Sequence, residues 1–286
     1  MYILLGGTGH IGSALCSYLL EAGKKVTVIT HDKDKVAEIE KTGAKAAVAD
    51  VMDSNALHGI FKQGKKLFLL NPPAPPSTDT AVVERQSLAS IFKALENSGL
   101  EKIVAESTYG AQPGENLGDL GVLYEMEQAL AAQDIPYSFM RGAYYFSNWD
   151  MSLETAKNEG LVFSFYPEDF CLPMVAPADI ARLAFELLTG NPTSKGPHYI
   201  AGPEDYTPQD VADAFAKSLN KKVEVKVIEE SDWIPQLKAG GFSEKAAVSM
   251  ANMTHATLKQ GAERKDGAHR GTITLEAYIR ELASRK

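Results

Sequence analysis

A glycine-rich turn near the start of this chain constrains its fold more than any other feature. An apolar run, Tyr2 to Leu5, leads into Gly6-Gly7-Thr8-Gly9-His10-Ile11-Gly12, and apolar groups then recur at Ile11, Ala14, Leu15, Tyr18 and Leu19. That spacing puts the later groups on one helix face. The glycines therefore sit where a buried strand turns sharply into an amphipathic helix. Gly6 permits the turn, Gly9 lets backbone N–H groups approach an anion, and Gly12 lets the helix lie close on the strand. The unsatisfied N–H groups at the helix start suit a pyrophosphate. In this context the turn reads as a dinucleotide site, with Gly6, Thr8, Gly9, His10, Ile11 and Gly12 as its contacts. The plain alternative is a glycine-rich turn that holds no ligand.

Strands and helices alternate downstream. Lys25 to Thr30 reads as the second strand, and in NAD-specific sites an acidic residue about 20 residues after the glycines receives the ribose hydroxyls. Here Thr30 and His31 occupy the strand end, and Asp32 comes later, followed by Lys33 and Lys35. Without that carboxylate a 2′-phosphate is not repelled, and His31 with Lys33 or Lys35 can bind one. NADP(H) is therefore preferred, with NAD(H) possible. The same residues also suit an exposed turn. Lys33 to Thr42 is predicted helical and Ala44 to Ala49 a third strand, with Asp50 and Val51 placed to meet an adenine. Asp50 can equally serve its own turn. Asp53 is expected to cap a helix through Phe61.

The fourth strand, Lys66 to Leu70, stops at Asn71-Pro72-Pro73-Ala74-Pro75-Pro76, because proline ends strand pairing. Asn71, Pro72 and Pro73 then lie at the carboxyl edge, where open α/β sheets bind ligands. After a helix from Asp79 to Ser98, the strand Lys102 to Ala105 runs into Glu106-Ser107-Thr108-Tyr109-Gly110. The hydroxyls of Ser107, Thr108 and Tyr109 are the candidate catalytic groups. They can meet a nicotinamide amide or a substrate carbonyl, or only the backbone. A helix from Leu123 to Gln133 and a strand from Pro136 to Arg141 precede an aromatic run. There Tyr144, Tyr145, Asn148 and Trp149 are expected to wall a flat substrate pocket, although aromatics buried in a domain seam would look alike.

Composition narrows the function classes. The chain has 286 residues, with 29 Lys+Arg against 37 Asp+Glu and a net charge of −8. An acidic chain without a basic patch argues against nucleic-acid binding. A 44% hydrophobic and 23% charged composition predicts a packed core, not a disordered chain. Two cysteines are too few for a disulfide framework, so a reducing cytoplasm is expected. No apolar run approaches the ~18 residues of a membrane span, and Met1 is expected to begin the chain without a leader. The six histidines show no metal-ligand spacing, so no metal is expected.

The second half has a different build. Pro177-Ala178-Asp179 opens a helix with apolar Ile180, Leu183, Ala184, Leu187 and Leu188, with Asp179 expected as its cap and Gly190-Asn191-Pro192 as its end. His198 to Ala201 reads as a strand, Thr207 as the cap of a helix from Gln209 to Leu219, and Val223 to Ile228 as a further strand. Gly240-Gly241-Phe242 suits a turn between helices or a mobile edge. Residues 1–150 are expected to form the nucleotide-binding domain. Residues 151–286 are expected to form a smaller substrate-binding lobe, with possible crossing of the chain between the two.

An ordered set of segments resembles the NmrA-like group of atypical short-chain dehydrogenases/reductases. The set comprises Gly6 to Gly12, Phe68-Leu69-Leu70-Asn71-Pro72-Pro73, Ile103-Val104-Ala105-Glu106-Ser107-Thr108, Arg141 through Asn148, Leu172 through Ala181, and Gly202-Pro203-Glu204. The resemblance implies a Rossmann-type doubly wound parallel sheet with a smaller α/β C-terminal lobe. It also implies either an NAD(P)H-dependent quinone oxidoreductase or an NADPH sensor. The usual Tyr and Lys pair is missing. Aligned on Glu127, Asp119 holds the Tyr position and Leu123 the Lys position, and no Tyr-x-x-x-Lys occurs in the chain. Tyr109 and Tyr124 are the phenols available as replacement acids. Two functions remain. One is an NADPH-dependent reductase of a quinone or similar small planar acceptor, as a monomer or homodimer. The other is a non-catalytic redox sensor with a regulatory protein partner. A nucleotide-sugar isomerase is disfavoured, because that chemistry normally needs the absent phenolate.

Overall fold

Strands that read as unbroken apolar runs need cover on both faces, and a parallel sheet between two helical layers supplies it. The computed structural model describes residues 1–190, 196–260 and 265–285. The first half alternates as β1 (Tyr2–Leu5), α1 (His10–Glu21), β2 (Val26–Thr30), α2 (Val36–Lys41), β3 (Lys45–Val48), α3 (Ser54–Phe61), β4 (Lys66–Leu69), α4 (Thr80–Leu95), β5 (Lys102–Thr108), α5 (Gly118–Ala131) and β6 (Tyr137–Gly142). The second half contributes β7 (Tyr144–Tyr145), α6 (Ser152–Asn158), β8 (Leu161–Ser164), β9 (Leu172–Val175), α7 (Pro177–Thr189), β10 (Pro197–Ala201), β11 (Asp205–Tyr206), α8 (Pro208–Leu219), β12 (Glu224–Val227), α9 (Trp233–Ala239), α10 (Glu244–Gln260), β13 (His269–Arg270) and α11 (Leu275–Ser284).

The main sheet runs β13-β10-β6-β5-β4-β1-β2-β3, all parallel. Strand order reverses at β1, where Leu4 pairs with Val28 of β2 on one side and Phe68 of β4 on the other. Ile3, Leu4, Leu67, Phe68, Ile103 and Val104 are fully buried. Alternate residues feed two cores, one with α1 and α7, the other with α3, α4 and α5. Because every strand is parallel, all carboxyl ends open on one edge, and the crevice beside β1 is the switch point where such sheets bind ligands.

The chain returns to this sheet after residue 150. Strands β10 and β13 extend it beyond β6, and α7 lies beside α1. The remaining segments form a smaller lobe around Phe146, Trp149, Val162, Met174, Phe215 and Ile279. Helix α10 straps the lobe to the carboxyl edge. Ser243 Oγ donates to the Thr78 carbonyl (2.6 Å), Lys245 pairs with Asp79 (2.9 Å), and Asn252 donates to the Asn116 carbonyl (3.1 Å). Gly240 and Gly241 make the turn between α9 and α10, with Gly241 at φ +91°.

Several local expectations need adjustment. Lys33 to Lys35 form a 3-10 turn before a short α2, because Asp32 accepts from the Asp34 N–H and tightens the backbone there. Helix α5 begins at Gly118, ahead of its first regular apolar spacing, since Gly118 and Gly121 present no side chain to reveal the period. Asp53 and Thr207 cap α3 and α8 as expected, Thr207 through a reciprocal box with Asp210. Asp179 does not cap α7. The cap residue is Ala176, and the buried Asp179 carboxylate instead accepts from the backbone N–H groups of Thr272 and Ile273 (3.1 Å each). Of the expected α7 stop, Asn191 and Pro192 lie outside the described residues.

This carboxylate ties the segment leading into α11 to the base of α7. Asp179→Ala removes the acceptor of two backbone N–H groups, and charge-assisted bonds of this kind contribute about 2 to 3 kcal/mol. A loss of that size in urea unfolding, with faster hydrogen exchange in residues 272–284, is the expected outcome.

Candidate nucleotide site and cleft

The glycine turn sits at the reversal point of the sheet. Gly6 adopts φ +82°, and a Cβ there would lie 3.0 Å from the Leu70 Cβ. A Cβ at Gly12 would fall 2.2 Å from the Gly6 carbonyl oxygen. Only glycine lets α1 approach β1 this closely. Gly9 differs, because a Cβ there would meet nothing nearer than the Gly6 oxygen at 3.7 Å. Gly9 is the N-cap of α1, and no side chain caps that end. Thr8, Gly9 and His10 are exposed, while Ile11 is buried in the core. The arrangement is an open anion cradle at a helix N-terminus.

The ribose end lacks a receiving carboxylate. Thr30 is buried and its hydroxyl accepts from the Asp32 N–H (3.1 Å), while Asp32 spends its carboxylate on Asp34. His31, Lys33 and Lys35 are exposed beside this strand end. Asp50 accepts from the Met52 N–H (2.9 Å) in a turn, with Val51 half-buried next to it.

Past β4, Asn71 donates through Nδ2 to the Glu84 carbonyl (3.3 Å), and its Oδ1 is buried without a partner among the described residues. An orphaned acceptor at the carboxyl edge is a group that a ligand amide can satisfy. Pro72 and Pro73 follow it, and the Ala74 N–H is held by the Glu84 carboxyl (3.0 Å). Burial, with Asp119 bonded beside it, pushes that carboxyl up to about 7.

The candidate catalytic hydroxyls separate. Ser107 is fully buried and donates to Glu127 (2.5 Å), which also holds Arg141 by two bonds of 2.8 and 2.6 Å. Its hydroxyl is thus committed to the layer behind the sheet, because strand alternation turns residues 103, 105 and 107 toward α5. Thr108 is half-buried and donates to the Tyr109 carbonyl (3.2 Å). Tyr109 stands edge-on to Tyr199, with ring centroids 5.2 Å apart, and Tyr124 lies half-buried on α5.

The aromatic run also divides. Trp149 is 3% exposed and lies in the small-lobe core, so its ring supports the cleft from behind. Tyr144 bonds Asn148 and packs between Trp149 and Tyr166. Asn148 is exposed. Tyr145 points the other way, donating to Glu106 Oε1 (2.8 Å). Burial pushes the Glu106 carboxyl up to about 8, and its Oε2 has no partner among the described residues.

Sequence reasoning passed over Glu84 and Glu106 as site residues. The signal for Glu106 was available, since a carboxylate in a strand buried on both faces must be paired or protonated. Also missed was Asp150, which pairs with His10 of the turn (3.6 Å) and accepts from Tyr278 of α11 (2.8 Å). Among the described residues, no helix is long and apolar enough to cross a membrane.

Comparison with known proteins places these features. The family model described as the NmrA-like family matches residues 2–279. NAD(P)H azoreductase from Xenophilus azovorans is 22% identical, covering 87% of this chain and 85% of its own. Quinone oxidoreductase 2 from Escherichia coli is 23% identical, with coverages of 91% and 89%. Among solved structures, the NADPH complex of an E. coli NADPH-dependent quinone oxidoreductase superposes with a TM-score of 0.82 at 22% identity and 99% coverage of each chain. The NADP(H) complex of triphenylmethane reductase from Citrobacter gives 0.78 at 18% identity, covering 99% of this chain and 98% of the other.

The two glycines separate experimentally. Gly9→Val should keep the thermal midpoint within a few degrees yet weaken nucleotide binding at least tenfold by calorimetry, whereas Gly12→Ala should lower the midpoint directly. The raised carboxyls carry a stability signature. A folded-state acid raised above its ordinary 4.5 stabilises fully below that value and loses the contribution as pH rises through its folded value. Thermal stability should therefore decline from about pH 5 to pH 8, and Glu84→Gln should flatten that decline.

Proposed function

The chain belongs to the NmrA-like family, and from that premise we propose that it is an NADPH-dependent reductase of a quinone or a similar small planar acceptor. The observation that carries the reading is the open cradle at Gly9 beside a strand that ends in Thr30, followed by His31, and not in a carboxylate. The cradle residues fit a dinucleotide: Gly9 and the first N–H groups of α1 would hold the pyrophosphate, and His31 with Lys33 or Lys35 the 2′-phosphate. The buried Asn71 Oδ1 offers an acceptor to the nicotinamide amide. When bound, this cofactor supplies two electrons and one hydrogen as hydride.

The residues around it shape the rest of the cleft. We take the loop at Pro72 and Pro73 with Tyr109, Tyr144 and Asn148 as the borders of the acceptor site; all are uncharged, which favours a planar neutral acceptor. Helix α10 is tied to the carboxyl-edge loops by the bonds from Ser243, just before it, and from Asn252. A quinone suits this lining because its two-electron reduction makes smaller demands on protein acid catalysis than alcohol formation does. The cysteine usage and the absence of a basic patch support a cytoplasmic protein that works on small molecules.

The missing Tyr-x-x-x-Lys pair favours a second reading, a redox sensor that reports NADP(H) state to a protein partner. The two readings part on turnover. The reductase reading requires NADPH oxidation with at least one member of a benzoquinone, naphthoquinone and azo-dye panel, and inactivity with all of them sinks it. The sensor reading requires different affinities or conformations for NADP and NADPH, since a ligand pair bound alike shifts no equilibrium.

Cofactor choice provides a further measurement. NADPH should bind at least tenfold more tightly than NADH, and Lys35→Glu combined with Lys33→Glu should abolish the difference, each phosphate contact being worth about 1.5 to 3 kcal/mol. Equal affinity of the wild-type protein for both cofactors would refute the assignment of the 2′-phosphate site.

A further inference from the structure

Strand β5 carries a buried carboxyl group near its carboxyl end. Glu106 is 4% exposed. Its Oε1 accepts from the Tyr145 phenol at 2.8 Å, and its Oε2 is buried with no hydrogen-bond partner among the described residues. The pair occupies space that a glycine leaves open: a Cβ at Gly142 would lie 2.9 Å from both Glu106 Oε1 and Tyr145 Cε1. Tyr145 follows directly on β6 at the carboxyl edge, where it packs with Leu70 and Tyr109 against the core that also receives Ile11 of the glycine turn. The phenol thus stands on the β4–β6 side of the cradle. That is the side left for a nicotinamide once the adenosine end takes the β2–β3 side.

We propose that Tyr145 is the proton donor of the cleft and that Glu106 behind it replaces the donated proton. This rests on the reductase reading. A quinone that gains two electrons with one hydrogen needs one proton more to become a hydroquinone. The Tyr145 O–H bond breaks, an O–H bond forms on the acceptor oxygen, and the carboxyl proton of Glu106 passes to the phenolate. Tyr145 is restored, Glu106 is left as a carboxylate, and water reprotonates it between turnovers. Tyr145 is the catalytic residue in this scheme, and Glu106 acts through it as a positioning residue.

The surrounding charges make the phenol alone a weak acid, so donation depends on the Glu106 proton following it. Glu106 from β5 and Asp119 from α5 both act on the phenol and, with burial, hold it well above its ordinary 10. Glu84 from α4 bonds Asp119, and Ile180 from α7 lines the same glycine gap. Burial pushes Glu106 up to about 8. Both members of the pair therefore carry their protons at neutral pH.

Two measurements test the proposal. Infrared spectroscopy of the protein without cofactor should show a protonated carboxylic acid that titrates near pH 8 and disappears in Glu106→Gln. In single-turnover reduction of a benzoquinone by NADPH, Tyr145→Phe should be about 10²- to 10⁴-fold slower. Its NADPH dissociation constant should match that of the wild type. The wild-type rate should fall above about pH 8, and the Tyr145→Phe rate should not follow that profile. Should Glu106→Gln fail to fold, Tyr145→Phe, which removes only a hydroxyl, and the wild-type pH profile still decide. A wild type that reduces quinone while Tyr145→Phe keeps its rate and profile overturns the donor role alone. A wild type that binds NADPH and reduces nothing overturns the reductase reading, and the donor role with it.

Discussion

The rest of the structure depends on one close approach, that of α1 to the end of β1. The Gly6 carbonyl oxygen occupies the place where a side chain on Gly12 would begin, so the helix starts directly over the strand end. That contact aims the N–H groups of α1 along the carboxyl edge, at the point where strand order reverses. It also fixes α7, which packs beside α1, and through the bond from Asp179 to residues 272 and 273 it positions the segment entering α11. A site formed by one contact of this kind needs no metal and little charge to hold an anion, because the backbone donors are already unsatisfied and already oriented.

How much of this was legible in the sequence follows from the range of each interaction. The turn, the strand end at Thr30 and the stop at Asn71 are local, set by glycine, proline and strand alternation within a few residues. They appear in the structure where periodicity places them. Ser107, Trp149 and Asp179 were placed on the right elements, but their side chains work elsewhere than expected. Ser107 turns to Glu127, distant in sequence on α5. Trp149 turns into the small-lobe core, and Asp179 reaches Thr272 and Ile273. Each partner lies far along the chain, and nothing near the residue itself announces it. Glu106 is an intermediate case. Its burial could be inferred from the strand pattern, but its bond to Tyr145 depends on Gly142, which belongs to a different strand.

The carboxyl groups at the cleft divide into two kinds, and the division has a physical cause. Asp32, Asp50 and Asp53 lie near solvent and are bonded to backbone N–H groups of their own turns. Glu84 and Glu106 lie in the sheet and helix layers, where desolvation favours the neutral form. The chain can be acidic overall and still present a nearly uncharged floor to the cleft. In the proposed reductase, neutral carboxyls at Glu84 and Glu106 and the Asn71 amide would suit a nicotinamide and a planar acceptor better than a charged substrate.

The replacement of the usual pair also sets a direction for the chemistry. In a Tyr-Lys dyad the cation lowers the phenol, so the same group can give a proton to a ketone or take one from an alcohol. Tyr145 has a carboxyl partner in place of an ammonium, and Leu123 stands where the lysine would be. A phenol held well above its ordinary value stays protonated at neutral pH and is itself a weak acid, so its donation depends on the carboxyl proton of Glu106 behind it. An active site built this way loses the alcohol-oxidising direction while retaining proton delivery, provided that the acceptor takes electrons readily without a strong acid. Quinones meet that condition, and simple ketones do not. In the proposed reductase, a carboxyl beside the phenol in place of a lysine would favour reduction over alcohol oxidation, and would favour acceptors whose own electron affinity does most of the work.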